Sequence, residues 1–215
     1  ILADGKRNEA VWQMILRNVR TPEEREGDLA AQLAAHKIGA QRLREIVDRY
    51  GLSEVSDRAR SLISYTERLT RKAIEQIPNG RYVFQDVLDD DGQASDAIPI
   101  KAAILIKGES MEVDFSGTAA AAAGNVNAVP AMTHSAVIYC LRCTALAIID
   151  IDLPMNEGIF RPLTIHIPPG SLLDPPLDHA VAAGNVETSQ RVVDVVFGAL
   201  AQALPELIPA ASQGT

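Results

Sequence analysis

Ile77-Pro78-Asn79-Gly80-Arg81-Tyr82-Val83-Phe84-Gln85-Asp86-Val87-Leu88 is where the chain changes its period. Before Pro78, apolar residues recur at alternating steps of four and three. From Arg81 they alternate with polar ones, the spacing of a half-buried strand. Proline lacks the N–H that a helix needs, and Asn-Gly favours a turn, so helix gives way to sheet here. The stretch predicts a helical segment over residues 1–79 and an α/β domain with a mixed sheet over residues 80–215. The class is α/β (α+β), led by an N-terminal helical hairpin.

Upstream, Asn8 to Val19 reads as a short amphipathic helix carrying Trp12, Leu16 and Val19. Thr21-Pro22-Glu23-Glu24 is a helix start: Thr21 as N-cap, proline in the first turn, acids beside the positive end of the dipole. The helix runs to Tyr50, with Gly51 to terminate it. Leu29, Leu33, His36, Ala40, Leu43, Val47 and Tyr50 make a heptad seam, and Val55, Ala59, Leu62, Thr66, Leu69 and Ala73 repeat it in a second helix over Ser53 to Ile77. The short link at Gly51-Leu52 predicts an antiparallel pair. Such a pair buries one face on itself and offers another to a partner.

Downstream, Arg81 to Leu88, Ile98 to Ile106, Met111 to Phe115 and Phe160 to Ile167 read as strands. Helices are expected from about Pro130 to Ile148 and from Val192 to Leu204. Asp89-Asp90-Asp91-Gly92 lacks the alternate acids and the distal glutamate of an EF-hand and reads as a hairpin turn. Strands alternating with helices call for a mixed sheet.

With a formal net charge of −8, the chain lacks the basic face that nucleic-acid binding requires. No apolar run is read as membrane-spanning. Cys140 and Cys143 suit a reducing, cytoplasmic compartment and lie on one helical face, without the second pair of a zinc site or the βαβ context of a redox motif. The sequence has no Walker-type phosphate loop, no dinucleotide-binding glycine motif and no nucleophile elbow. His36, His134, His166 and His179 show no ligand spacing, so no metal site is expected within these residues.

What remains is a set of polar loops. Gly184-Asn185-Val186-Glu187-Thr188-Ser189-Gln190-Arg191 runs straight into an apolar-periodic helix. Thr188 or Ser189 is placed to cap it, and Gly184 gives either a positive φ or a close backbone approach. Such a helix entry suits an anion. Gly124-Asn125-Val126-Asn127 echoes it before the preceding helix. Asp114, Ser116 and Thr118 share a third loop, and Asn156 and Glu157 a fourth. Candidate binding residues are Asp114, Ser116, Thr118, Asn125, Asn127, Asn156, Gly184, Asn185, Thr188, Ser189 and Gln190, expected to line one crevice at strand ends. Glu187, Glu157 and His134 are the candidates for acid–base or ligand roles. For each glutamate a surface or capping role stands as the alternative.

Thr21-Pro22-Glu23-Glu24-Arg25-Glu26-Gly27-Asp28, Asp114-Phe115-Ser116-Gly117-Thr118, Leu153-Pro154-Met155-Asn156-Glu157-Gly158, Gly184 to Arg191, and Pro209-Ala210-Ala211-Ser212-Gln213-Gly214-Thr215 together resemble hydantoinase B. That family is related to 5-oxoprolinase and acetone carboxylase. The motifs occur in order along almost the whole chain. The resemblance implies an internal piece of a longer subunit, with a His- and Asp-rich divalent-metal motif upstream of Ile1. It implies a hydantoinase A-like partner that binds ATP, and hydrolytic ring opening of a small cyclic amide such as a hydantoin or 5-oxoproline. ATP-dependent carboxylation of a ketone such as acetone is the alternative chemistry, and a non-catalytic assembly module the alternative of another class. By this reading the segment alone does not turn over. Homo-oligomerisation is left open.

Overall fold

The structure, a computed structural model, describes residues 1–93 and 96–212. The chain divides into two compact units, Ile1–Arg60 and Ser61–Thr215, and the division falls inside the second long helix.

The first unit opens with a small hairpin, β1 (Leu2–Ala3) against β2 (Lys6–Arg7). These strands depart from the all-helical segment expected there. The signal was the Asp4-Gly5 pair, whose φ values of 50° and 75° suit a two-residue hairpin turn. Helix α1 (Glu9–Leu16) is capped by Asn8, whose Oδ1 accepts from Val11 N at 3.2 Å. Trp12 is buried, and its indole N–H donates to Glu26 Oε1 at 3.0 Å. Helix α2 (Pro22–Tyr50) starts and stops where expected, and Gly51 ends it at φ 82°. The expected Thr21 cap is not made: Thr21 sits in the left-handed region at φ 48° and its side chain bonds no helix N–H.

The self-buried seam is also absent from α2, which has no buried residue. Leu43 and Tyr50 are each 56% exposed. The helix is instead laced by turn-spaced ion pairs, Arg25–Asp28 at 3.0 Å and Arg42–Glu45 at 2.8 Å. Each adds only a few tenths of a kcal/mol, roughly 0.2–0.5. A period of 3.5 identified the helix correctly, but periodicity cannot say what covers the stripe.

In the second unit, the C-terminal half of α3 (Leu52–Glu75) buries Thr66, Thr70, Ala73 and Ile74. A four-stranded sheet follows, in the order β3 (Gly80–Leu88), β4 (Ile98–Lys107), β5 (Ser110–Asp114), β6 (Leu163–His166). The first three are antiparallel and β5–β6 is parallel, giving the mixed sheet expected. Register builds one apolar face: Ile104 stands opposite Tyr82 and Val113, Ile106 opposite Met111, and Val113 opposite Ile165. Helices α4 (Pro130–Ile149) and α5 (Ser189–Ala201) complete the core, with Val137, Leu141, Val192, Val195 and Val196 buried. The fit of α5 on the sheet depends on Gly198, where a Cβ would lie 2.5 Å from a ring carbon of Phe84.

By length and composition α4 could cross a membrane, contrary to the reading that no run was long enough. Arg142 and the hydroxyl residues break the visual run. Eight of its residues are buried in the unit, as in a core helix. Cys140 is buried and Cys143 half-buried, both as free thiols. Burial pushes the Cys140 thiol well above its usual range.

Two contacts inside this unit yield tests. A Cβ on Gly158 would lie 2.3 Å from Ile63 O and 2.8 Å from Glu67 N, backbone atoms that cannot swing aside. Gly158→Ala should therefore cost about 1–3 kcal/mol by overpacking, read as a lower midpoint in denaturant. Glu67 accepts from Arg161 at 2.7 Å and from Arg71 at 2.8 Å, and these bonds hold its carboxyl below the ordinary value of 4.5. A depressed folded pKa gives stability that is present above the unfolded value and lost as pH falls through the folded one. Glu67→Gln should lower Tm at neutral pH, with the difference shrinking as pH falls below 4.5.

Candidate functional site

The two Gly-Asn-Val loops are in direct contact. Ala183 N–H donates to Asn125 O at 2.9 Å, and the Thr188 hydroxyl donates to Val126 O in a short bond. Gly184 has no room for a side chain: a Cβ would sit 2.1 Å from Asn127 O. Of the two expectations for Gly184, close approach is the one realised. Gly124 is held the same way, with Asp91 O at 2.0 Å from where its Cβ would be. Its N–H donates to Asp91 Oδ2 at 2.8 Å, tying the acidic turn after β3 to the first loop.

The loops nevertheless differ in local form. Residues 124–127 are irregular and lead through extended Val129 into α4. Gly184–Thr188 is a wide helical turn of the π type, continuous with α5. Such turns recur at functional sites because they displace side chains from the regular helical positions. It also corrects the expected capping. Thr188 lies inside helical backbone, and its hydroxyl serves Val126 instead of an orphan N–H.

A cavity of about 480 Å³ opens between these elements. Its walls include Asp89, Asp90 and Asp91 from the acidic turn, Asn125 from the first loop, and Glu187, Gln190 and Arg191 from the second. Arg191 is fixed by Asp86 on the core face of β3 at 2.5 Å and stands 3.6 Å from Asp194. Among the described residues its buried Nε has no hydrogen-bond partner. A second cavity of about 450 Å³ lies on the other side of Gln190, lined by Asn185, Ser189, Gln190, Asp194, Tyr139 and Ser212, among others. Asp194 is 6% exposed and accepts from the Ser212 hydroxyl at 2.9 Å. Gln190 borders both spaces. Gln213, Gly214 and Thr215, the end of the motif that begins at Pro209, lie outside the described residues.

The geometry therefore gathers Asn125, Glu187 and Gln190, and places Asn185 and Ser189 on the neighbouring wall. Other expected site residues do something else. Asn127 is wholly buried, and its side chain is spent on backbone: Oδ1 accepts from Ala122 N at 2.7 Å, and Nδ2 donates to Ala122 O, Gly124 O and Ala180 O. Asp114 accepts from Ser116 N at 2.9 Å, and Thr118 brackets the Lys101 backbone. Burial works to raise the Asp114 pKa, but the bonds from Ser116 and the charges of His166 and Arg81 hold it below its usual value. This turn lines neither cavity. Asn156 caps a single turn of 3-10 helix (Glu157–Ile159) and donates to Thr66 Oγ1 at 2.8 Å. Glu157 borders a separate depression with Phe160 and Arg161. His134 packs edge-on against Phe160. Sequence reasoning missed the acidic wall and Asp194. A run of acids before glycine looked like a turn alone, and Asp194 falls within the helix expected from Val192 to Leu204 with no local signal to single it out.

Among the described residues no cluster has the make-up of a metal centre. The arrangement instead offers carboxylates and side-chain amides around a space of small-molecule size.

A family model described as Hydantoinase B/oxoprolinase matches residues 1–215. The chain belongs to that family. A putative B-type subunit of a D-/L-hydantoinase from Pseudomonas sp. (strain NS671) is 32% identical over 213 residues, covering 96% of this chain and 36% of that protein. The crystal structure of an ATP-dependent caprolactamase from Pseudomonas jessenii aligns with a TM-score of 0.82 at 27% identity, covering 95% of this chain and 35% of the other. An acetone carboxylase structure aligns with a TM-score of 0.79, covering 98% and 30%; at 14% identity it shows a shared fold alone. The chain spans about a third of the length of the first relatives it matches.

Asn127→Ala would strip the partner from several buried backbone groups, at roughly 1–3 kcal/mol for each group left unsatisfied. A large fall in Tm is the expected result. An Asn127→Ala protein that melts like the parent would break the assignment of this side chain to the clasp between the loops.

Proposed function

We propose that this chain is the part of a B-type subunit that holds one wall of a ring-opening site, working with an ATP-binding A-type subunit on small cyclic amides such as hydantoins or 5-oxoproline. The observation that carries the reading is Gln190, set between two cavities on the helix entry that also bears Asn185 and Glu187. A cyclic amide is planar and resonance-stabilised, so it is a poor electrophile. Phosphorylation of its oxygen creates a leaving group, and that step belongs on the ATP-binding partner. What this chain contributes is recognition. Amide side chains can read a ring N–H and C=O together, and a carboxylate can accept a ring N–H or take a proton from attacking water.

A hydantoinase of the B type and a caprolactamase among the similar proteins support cyclic amides as the substrate class. Ketone carboxylation has only a fold likeness behind it. A cytoplasmic, heteromeric complex fits the two free thiols and the family's subunit naming.

Gln190→Ala in the full complex should lower kcat/KM for the ring substrate about ten- to a hundredfold, the loss of roughly 1–3 kcal/mol of hydrogen bonding. Tm should hardly move, because the side chain is only half-buried. Substrate-driven ATP hydrolysis at the parent rate would remove Gln190 from the site. Association with the ATP-binding partner but no response to any ring would favour the assembly-module alternative.

A further inference from the structure

We propose that helix α2 is a two-fold interface between copies of this chain, packing antiparallel against the α2 of a second copy and crossing it near His36. This goes beyond the ring-opening reading and does not rest on it. None of the 29 residues of α2 is buried. A helix on its own is marginal in water and takes most of its stability from a packed face. Such a face is present. Gly39, Leu43, Ile46 and Tyr50 follow at steps of four, three and four, which sets them on one side of the helix. The three large side chains are all exposed. Glycine weakens a helix interior relative to alanine, and a Cβ on Gly39 would meet nothing within 4 Å among the described residues. What its bare backbone does permit is the close approach of another helix.

Charge decides which partner this face fits. Residues 22–35 of α2 carry four acids and one base, and residues 36–50 carry four bases and two acids. The helix dipole favours such a bias in the first and last turns alone, and Asp28, Lys37 and Arg42 lie outside them. Along one edge of the apolar face, Glu24 and Asp28 are followed at heptad steps by Ala35, Arg42 and Arg49. Local pairing does not erase the polarity: Arg25 serves both Glu24 and Asp28, at 3.4 and 3.0 Å, one charge against two. In an antiparallel pair each edge meets the same edge of the other copy. Glu24 then comes beside Arg49 and Asp28 beside Arg42, and symmetry makes each contact twice. A parallel copy would set acids on acids and bases on bases. The face is therefore complementary to itself in one direction, which is what a two-fold interface requires.

The test is the mass of the full chain in solution, read by sedimentation. The parent should be a dimer. Glu24→Lys with Asp28→Lys, and separately Arg42→Glu with Arg49→Glu, should each weaken self-association at least about tenfold, with helix content by circular dichroism unchanged. Mixed in equal amounts, the two variants should pair with each other at close to the parent strength, because opposite charges then meet at both ends of α2. Leu43→Asp should also dissociate the dimer and serves if a charge reversal disturbs folding. Antiparallel order is read by oxidation: Glu24→Cys and Arg49→Cys chains should cross-link when mixed, above the background of either alone. A monomeric parent, a dimer that neither the charge reversals nor Leu43→Asp weakens, or reversed variants that fail to rescue each other overturns the assignment. Variants that lose an ATP-binding partner while the parent is monomeric also overturn it and make that partner the occupant of α2.

Discussion

The buried amide of Asn127 is the constraint on which the site depends. One side chain satisfies backbone groups at Ala122, Gly124 and Ala180, and so fixes both ends of the first loop and the approach to the second. In a dry interior these groups would otherwise stand unpaired at a cost of kilocalories. With Asn127 in place, its own carbonyl becomes the surface against which Gly184 must pack, at a distance no other residue tolerates. The wide helical turn at Gly184–Thr188 follows from the same contact. The chain comes close enough for Thr188 to reach Val126 O, and Glu187 and Gln190 then project toward the cavity.

The sheet supplies the other half of the frame. Asp86 pairs in register with Ile100 and lies on the face that carries Tyr82 and Phe84. An acid there would be costly on an apolar face without a partner. Arg191 provides one, and in doing so fixes the start of α5 against the strand whose continuation is the acidic turn. The close approach of Gly198 to Phe84 pins the same helix further along. Two contacts of different kinds, one ionic and one steric, therefore set the distance between the two walls of the cavity.

How much of this was legible in the sequence depended on whether the signal was local. The switch of period at Pro78 placed the helices and all four strands of the large sheet within a few residues, because periodicity reports the face each residue turns to the core. The stop at Gly51 and the close approach at Gly184 were also readable, since each follows from the absence of a Cβ. The covering of a helical stripe was not readable. Leu43 and Tyr50 have the spacing of a packed seam and stand exposed. Roles that depend on partners far along the chain were equally hidden. Asn127 and Asn125 are two residues apart in one motif, yet one is spent on backbone and the other borders open space. Nor could local propensity show that Asp91 would reach Gly124, thirty-three positions away.

The division between those two asparagines bears on how a segment without a phosphate loop or a metal cluster among its described residues can still shape a reaction. Rigidity falls to one set of side chains here and, in the proposed site, recognition to another. Asn127, Thr188, Asp91 and the two glycines use up their bonding or space on holding the loops. The side chains of Asn125 and Gln190 are thereby held at the cavity without being spent on the clasp that positions them. A recognition surface held in advance loses less conformational entropy on binding, so more of each hydrogen bond and each charge appears as discrimination between ligands.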